Sequence, residues 1–350
     1  MVDAISIGSR RVGAGQPCFI IAEAGVNHNG DPAMARELIA AARASGADAV
    51  KFQTWITEKL VSPEARMAEY QVANTGREES QFAMLKRLEL SQAQFTELQA
   101  ECARQGVLFL STPDEPDSAD FLERLGVPLF KIGSGEVTNL PYLRHVARKG
   151  RPVILSTGMS TLDEVRAAVR AFEAEGLREL VLLHCVSQYP ADPADCNLRA
   201  MDTLREAFGH PVGFSDHTMS ADVSLAAVAR GACVIEKHLT LDRALPGPDH
   251  QASLEPAEFT DMVRRIRLVE SALGNGMKEP TAAELETRKV VQRSIVAARA
   301  LPAGRVLALD DLSLLRAPGG LPPADLEKLV GRELRAARAA GALIAWEHVR

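Results

Sequence analysis

Cysteine is scarce in this chain, and its pattern argues against two chemistries. The five cysteines (Cys18, Cys102, Cys185, Cys196 and Cys233) form no CxxC pair, and an odd number closes no complete disulfide set. A disulfide scaffold and a zinc knuckle are disfavoured, and the usage fits a reducing cytoplasm. Cys18, Cys185 and Cys233 fall within apolar runs, where a thiol serves as a small buried hydrophobe. Positive charge is not in excess: 40 Lys and Arg stand against 46 Asp and Glu, a formal charge of −6. That balance gives no footprint for nucleic acid or an anionic membrane, although a local basic pocket can still hold a small anion. No apolar stretch approaches the roughly 20 residues a membrane helix needs. The opening MVDAISIGSRRVGAG lacks the apolar centre of a signal peptide. A GxGxxG loop is also missing: AEAGVNHNG stands in its place, which argues against an open dinucleotide-binding sheet.

What the chain has is length and repetition. Its 350 residues, 46% hydrophobic and 25% charged, suffice for a large core and two domains. Eight short apolar runs predict strands at Cys18–Ala24, Ala49–Gln53, Val107–Thr112, Leu129–Ser134, Pro152–Thr157, Leu180–Ser187, Val212–His217 and Ala232–Thr240. Helical stretches alternate with them. Asp31–Pro32 opens one helix, and Ser91–Gln94 and Thr161–Glu164 read as capping boxes. Eight β-then-α units over about 250 residues predict a (β/α)₈ TIM barrel. Two insertions interrupt the regularity, Thr57–Leu90 with a helix at SQFAMLKRLEL, and Leu241–Pro256; a long helix at Pro256–Leu273 follows. The barrel domain is expected over 1–275, a polar linker over 276–287, and a small domain of strand and turn pieces over 288–350, with a short helix at Pro323–Leu329. A domain of that size is near the lower limit for folding alone and is expected to dock on something.

The strands end in reactive side chains, and a (β/α)₈ barrel gathers such ends on its catalytic face. Residues i and i+2 of a strand share a side. Lys51 and Gln53 therefore point together, as do Glu236 and His238, while Phe52 and Lys237 point away. His217, ending the neighbouring strand, can join His238 and Glu236 in a divalent-metal site with positions left for water or substrate. Hydrogen-bonded core histidines are the bland alternative. Lys51 and Lys131, with Ser134, Ser156 and Ser215, can cradle a phosphate or carboxylate. They can also form a structural pair with Glu23, lie on a solvated rim, or supply a Schiff-base lysine. Glu23 can move a proton, ligate metal or neutralise a lysine. His184 reads as structural, Ser187 and Tyr189 as nearer a ligand, and Asp249 as a turn residue or a contact.

The ordered motifs IIAEAGVNHNG, AVKFQT, STPDE, FKIGSGE, ILSTGM, LLHCVSQYP, GFSDHT, IEKHLT and PGPDH resemble the sialic acid (nonulosonic acid) synthase family, across essentially the whole chain. The resemblance implies a TIM barrel followed by an antifreeze-like (SAF) domain, in a domain-swapped cytoplasmic homodimer. It implies condensation of phosphoenolpyruvate with an N-acetylmannosamine-type sugar to a nine-carbon acid and phosphate, and no nucleic-acid or membrane partner. His217 and His238 would ligate a divalent metal, manganese first, with magnesium or cobalt also able to serve. Lys51, Lys131, Ser134, Ser156, Thr157, Ser187 and Ser215 would hold phosphoenolpyruvate. Glu23, with Glu236, would be catalytic. Gln53, Asn74, Tyr189 and Asp249 would contact the sugar, and Arg316 would reach it from the swapped domain.

The expected activity is N-acetylneuraminate synthesis. The alternative is N,N'-diacetyllegionaminate synthesis from a 2,4-diacetamido-2,4,6-trideoxyhexose. Val186–Ser187, where several N-acetylneuraminate-forming members carry Thr-Asn, and the Tyr70–Gln71 and Asn74–Gly76 segments resemble the legionaminate branch. A Schiff-base aldolase and a non-catalytic sugar-binding barrel are the readings from other classes.

Overall fold

The computed structural model describes residues 4–77 and 79–350. The chain divides into two compact units, Met1–Gly274 and Asn275–Arg350. Unit one holds eight parallel strands: β1 (Phe19–Gly25), β2 (Ala49–Thr54), β3 (Leu108–Pro113), β4 (Phe130–Ile132), β5 (Val153–Ser156), β6 (Leu180–Cys185), β7 (Val212–Asp216) and β8 (Val234–His238). Their hydrogen-bonded order is β3-β2-β1-β8-β7-β6-β5-β4, so the first and last strands in sequence pair. The sheet thereby curls into the expected barrel, with β3 and β4 adjacent at a seam that carries no ladder among the described residues.

Alternation sorts every strand into an inner and an outer face. The outer residues, among them Ile20, Phe52, Phe130, Leu155, Leu182, Phe214 and Ile235, pack with the surrounding helices as the main core. Burying each such side chain contributes about 1.5–3 kcal/mol. The inner face changes character along each strand. Ile21, Ala49, Leu110, Leu129, Ile154, Val181, Leu183 and Val234 form a separate apolar layer. Two residues further along, β1, β2, β4, β5 and β8 turn polar with Glu23, Lys51, Lys131, Ser156 and Glu236. Gly213 holds the inward place on β7, where a Cβ would lie 2.6 Å from Leu183 Cδ2.

An antiparallel hairpin, Ala4–Ile7 with Arg10–Gly13, precedes the barrel. Its Ile5, Ile7 and Val12 join the inner apolar layer and close that end. Sequence periodicity did not anticipate this hairpin, because four-residue strands are too short to show a period.

Several strands are shorter than expected. β4 ends at Ile132, and Ser134–Glu136 is a single 3₁₀ turn held by Glu136 N–H to Gly133 O at 3.2 Å. β7 ends at Asp216 and β8 at His238, leaving His217 and Thr240 beyond the ladder. The predicted caps form: Asp31 caps Pro32–Ala44, and Ser91 and Thr161 make reciprocal boxes with Gln94 and Glu164. The insertion after β2 carries helices Thr57–Leu60, Glu69–Thr75 and Gln81–Leu88, seated on the cluster Val26, Trp55, Met67, Met84 and Leu88.

Unit two has its own core of Ile295, Ala297, Leu301, Leu307, Leu312, Leu329, Leu334, Ile344 and Val349. Its strands Arg293–Ala297 and Leu312–Arg316 pair antiparallel. The helix Ala282–Val291 crosses the boundary expected at 287–288, so the second half of the expected linker is helical. The short helix expected at Pro323–Leu329 is a 3₁₀ turn at Pro323–Asp325 followed by helix Leu326–Leu329.

Candidate active site

A cavity of about 950 Å³ opens at the C-terminal ends of the barrel strands. Its floor is a chain of alternating charge. Glu23 Oε2 lies 2.7 Å from Lys51 Nζ, at angles outside hydrogen-bond geometry. Lys51 Nζ is 3.8 Å from Glu236 Oε2, and Lys131 Nζ is 3.6 Å from Glu236 Oε1. None of the four is more than 5% exposed. Hydroxyls complete the partners: Lys51 donates to Thr112 Oγ1 at 2.9 Å, Lys131 to Ser156 Oγ at 2.7 Å, and Ser215 to Glu236 Oε1 at 3.0 Å. The structural Lys–Glu pair is therefore present, and the solvated-rim reading of the lysines is excluded by their burial.

The register explains the assembly. Glu23 pairs with Lys51 and with His238, and Glu236 pairs with Ser215. Gln53 Nε2 donates to Glu23 Oε1 at 2.8 Å. Gly25, at φ +48°, makes room for that bond, since a Cβ there would lie 3.0 Å from Glu23 Oε1.

Environment separates the two carboxylates. Burial raises the Glu23 carboxyl; Lys51 opposes this and Glu236 reinforces it, leaving Glu23 above its ordinary value. Burial also disfavours ionised Glu236, but Lys131 and Lys51 outweigh it and hold that group below the usual range. Lys131 is lowered, by burial first, against the pull of Glu236. Lys51 is raised, because Glu23 and Glu236 outweigh its burial. Two carboxylates pushed in opposite directions suit different tasks.

His217 and His238 face the same cavity with ring centroids 5.4 Å apart. His217 Nδ1 lies 2.6 Å from the Val186 carbonyl, which can only accept, so Nδ1 carries the hydrogen and Nε2 keeps its lone pair. His238 Nδ1 is buried without a hydrogen-bond partner, 3.6 Å from Asp249 Oδ2. Burial lowers His217 to about 4 and His238 well below its ordinary value, so both rings are neutral at pH 7. Neutral imidazoles with available lone pairs fit a divalent metal. Among the described residues no group of three or more metal-ligating side chains gathers, so two imidazoles would leave the remaining positions to water or substrate.

Ser134, Ser187 and Cys185 surround Gly158. The Gly158 N–H donates to Ser134 Oγ at 2.9 Å, and Ser134 Oγ lies 3.3 Å from Cys185 Sγ. Tyr189 lies over His217, with centroids 4.1 Å apart, and Tyr70 from the insertion stacks on Tyr189 at 5.1 Å.

Three expected residues of unit one, Thr157, Asn74 and Asp249, do not line the cavity. Thr157 faces outward: its Oγ1 donates to the Leu183 carbonyl at 3.0 Å, and it lines a neighbouring cavity. That is the alternation after inward Ser156. Asn74 Nδ2 donates to the Pro248 carbonyl at 2.6 Å, tying the insertion helix to the segment after β8. Arg316 ends a strand of unit two, where it pairs with Arg293. Asp249 is nearly buried behind His238. His184 is structural, bonding the Cys196 carbonyl at 2.8 Å.

Thr112 and Asp114 both line the cavity as well, and neither was expected there. The signal was available: from inward Leu110, alternation gives Thr112 and Asp114. Burial raises Asp114 to about 7, with Lys51 opposing and Glu136 reinforcing. Tyr70 had no such signal, because the seven-residue helix Glu69–Thr75 is too short for its pattern to mark which side meets the cavity.

The sequence pattern of the NeuB family matches residues 38–278, and that of the SAF domain matches residues 292–350. The N,N'-diacetyllegionaminic acid synthase of Legionella pneumophila is 48% identical, over 98% of this chain and 97% of that protein. The synthase of the same name from Campylobacter jejuni is 43% identical, over 90% and 95%. Among solved structures, the N-acetylneuraminic acid (sialic acid) synthetase of Leptospira borgpetersenii, in complex with citrate, is 35% identical with a TM-score of 0.72, over 82% of this chain and 97% of that one.

Proposed function

The chain belongs to the NeuB family, and on that premise we propose that it joins phosphoenolpyruvate to a 2,4-diacetamido-2,4,6-trideoxyhexose, giving N,N'-diacetyllegionaminic acid and phosphate. The N-acetylneuraminate reading fits at the level of the family. The diacetamido acceptor has the stronger support, from relatives 48% and 43% identical. The observation that carries the chemistry is the Glu23–Lys51–Glu236–Lys131 floor beside two neutral imidazoles.

Phosphoenolpyruvate is polyanionic. Lys51 and Lys131, with Ser134, Ser156 and Ser215, are suited to its carboxylate and phosphate, and Ser187 lies beside Ser134 at Gly158. A divalent metal held by His217 and His238 would polarise the sugar aldehyde. The enol carbon attacks that aldehyde, and positive charge develops at the phosphate-bearing carbon. Water adds there, and the tetrahedral centre loses phosphate by carbon–oxygen cleavage. Glu23, with its raised proton affinity, takes the proton from the attacking water. Glu236 stays ionised and faces the developing cation. Gln53 and Tyr189 line the acceptor side, with Asp249 behind His238. Arg316 keeps its proposed role at the acceptor sugar of a second copy, in a cytoplasmic homodimer. None of the described helices is long and apolar enough to cross a membrane.

The decisive assay is phosphate release from phosphoenolpyruvate with manganese, against N-acetylmannosamine, its 6-phosphate and the diacetamido hexose isomers. Turnover is expected with a 2,4-diacetamido acceptor; turnover with N-acetylmannosamine alone would move the chain to the other branch. The lowered Lys131 ammonium is the one observation favouring a Schiff base. Borohydride with substrates should leave Lys131 unmodified, and its reductive trapping would replace this mechanism.

A further inference from the structure

A second buried ion pair sits behind the cavity wall, unused by the chemistry above. Asp216 and Lys237 are register partners on β7 and β8, both fully buried, with Lys237 Nζ 3.1 Å from Asp216 Oδ2. Asp216 Oδ1 accepts from Thr218 N–H and Thr218 Oγ1, each at 2.8 Å, and Oδ2 accepts from Ser224 Oγ at 2.6 Å. Lys237 also donates to the carbonyls of Thr218 at 2.5 Å and Ser220 at 3.1 Å. One knot thus joins two strand ends, the Thr218–Ser220 turn and the helix Asp222–Ala229.

Stability does not explain the charges. A buried ion pair is often replaceable by apolar side chains without loss. The outward pair two residues earlier is apolar, Phe214 beside Ile235, so the surrounding shell accepts hydrocarbon. Charge is kept at the one outward pair whose next residues are His217 and His238. We infer that the Asp216–Lys237 pair is a positioning clamp that fixes both backbones, so that the two imidazoles face one point. This rests on the metal-site reading of His217 and His238.

The test uses full-length Asp216→Asn, Lys237→Met and the milder Ser224→Ala. Manganese affinity is measured by the paramagnetic resonance of free Mn²⁺. Phosphoenolpyruvate affinity without metal and the thermal midpoint are measured on the same samples. Manganese affinity should fall about 10–100-fold in the two charge variants, as for other groups supporting metal ligands. Ser224→Ala should show a smaller loss in the same direction, with phosphoenolpyruvate affinity unchanged in all three. A drop in thermal midpoint with parental manganese affinity would overturn the clamp and leave a purely structural pair. A parent that binds no manganese would overturn the metal reading itself, and with it the inference. Should the charge variants not fold, Ser224→Ala decides alone.

Discussion

Glu23 and Glu236 share a floor and two lysines, yet only Glu23 is held above the ordinary carboxylate range. Replacing Glu23 by Gln keeps its shape and its bond to Gln53 while removing the base. Turnover should fall about 10²- to 10⁴-fold, with phosphoenolpyruvate binding still measurable by calorimetry. Asp114 makes a pH prediction. Below about 7 it is neutral; above that value it adds a negative charge to the anion site. Phosphoenolpyruvate affinity should therefore weaken from pH 6 to 8 beyond the ligand's own titration, and Asp114→Asn should remove that excess. Gly158→Ala places a methyl 2.9 Å from both Ser134 Oγ and Cys185 Sγ. Overpacking of about 1–3 kcal/mol corresponds to about 5- to 150-fold in affinity for phosphoenolpyruvate. Alternation along an apolar strand made Lys51, Gln53, Glu236 and His238 legible, and would have made Thr112 and Asp114 so. The same alternation turns Thr157, one residue past inward Ser156, away from the cavity, although the family resemblance had drawn it into the site.

Elements carry a different kind of information. Caps and strand runs are local, so the barrel was readable from turn chemistry and periodicity. The insertion after β2 was readable only as a length. Which of its residues meet the cavity depends on how helix Glu69–Thr75 docks, and no pattern in that segment encodes docking. Asn74 shows the difference: expected at the sugar, its amide is spent on the Pro248 carbonyl. Asn74→Ala should cost about 1 kcal/mol of that docking. The expected result is a several-fold rise in KM for the acceptor sugar with unchanged phosphoenolpyruvate affinity, and faster proteolytic cleavage within 69–77.

For the whole molecule, the two units have separate cores, so their stabilities can be probed apart. In unit two, Asp311 accepts from the Ala308 N–H at 3.0 Å, Arg305 at 2.8 Å and Arg299 at 2.7 Å. These bonds hold its carboxyl well below the usual range. The stabilisation is complete above the unfolded carboxylate value and is lost as pH falls toward the folded one. Thermal scans between pH 6 and 3 should show this unit weakening at the acid end, and Asp311→Ala should lower its midpoint at pH 7 and flatten that dependence. A chain ending at Gly274 should retain phosphoenolpyruvate binding and lose acceptor selectivity; full retention would remove Arg316 from the reaction.

The N-terminal hairpin has a consequence for traffic. With Ile5, Ile7 and Val12 packed into the apolar layer beneath the lysines, the hairpin covers that end of the barrel, and the cavity opens at the C-terminal ends of the strands. Whatever enters first lies deepest, over the lysine floor, and whatever enters second blocks its exit. Departure must then reverse arrival, with the nine-carbon acid leaving ahead of the phosphate beneath it. Inorganic phosphate should accordingly compete with phosphoenolpyruvate and not with the sugar.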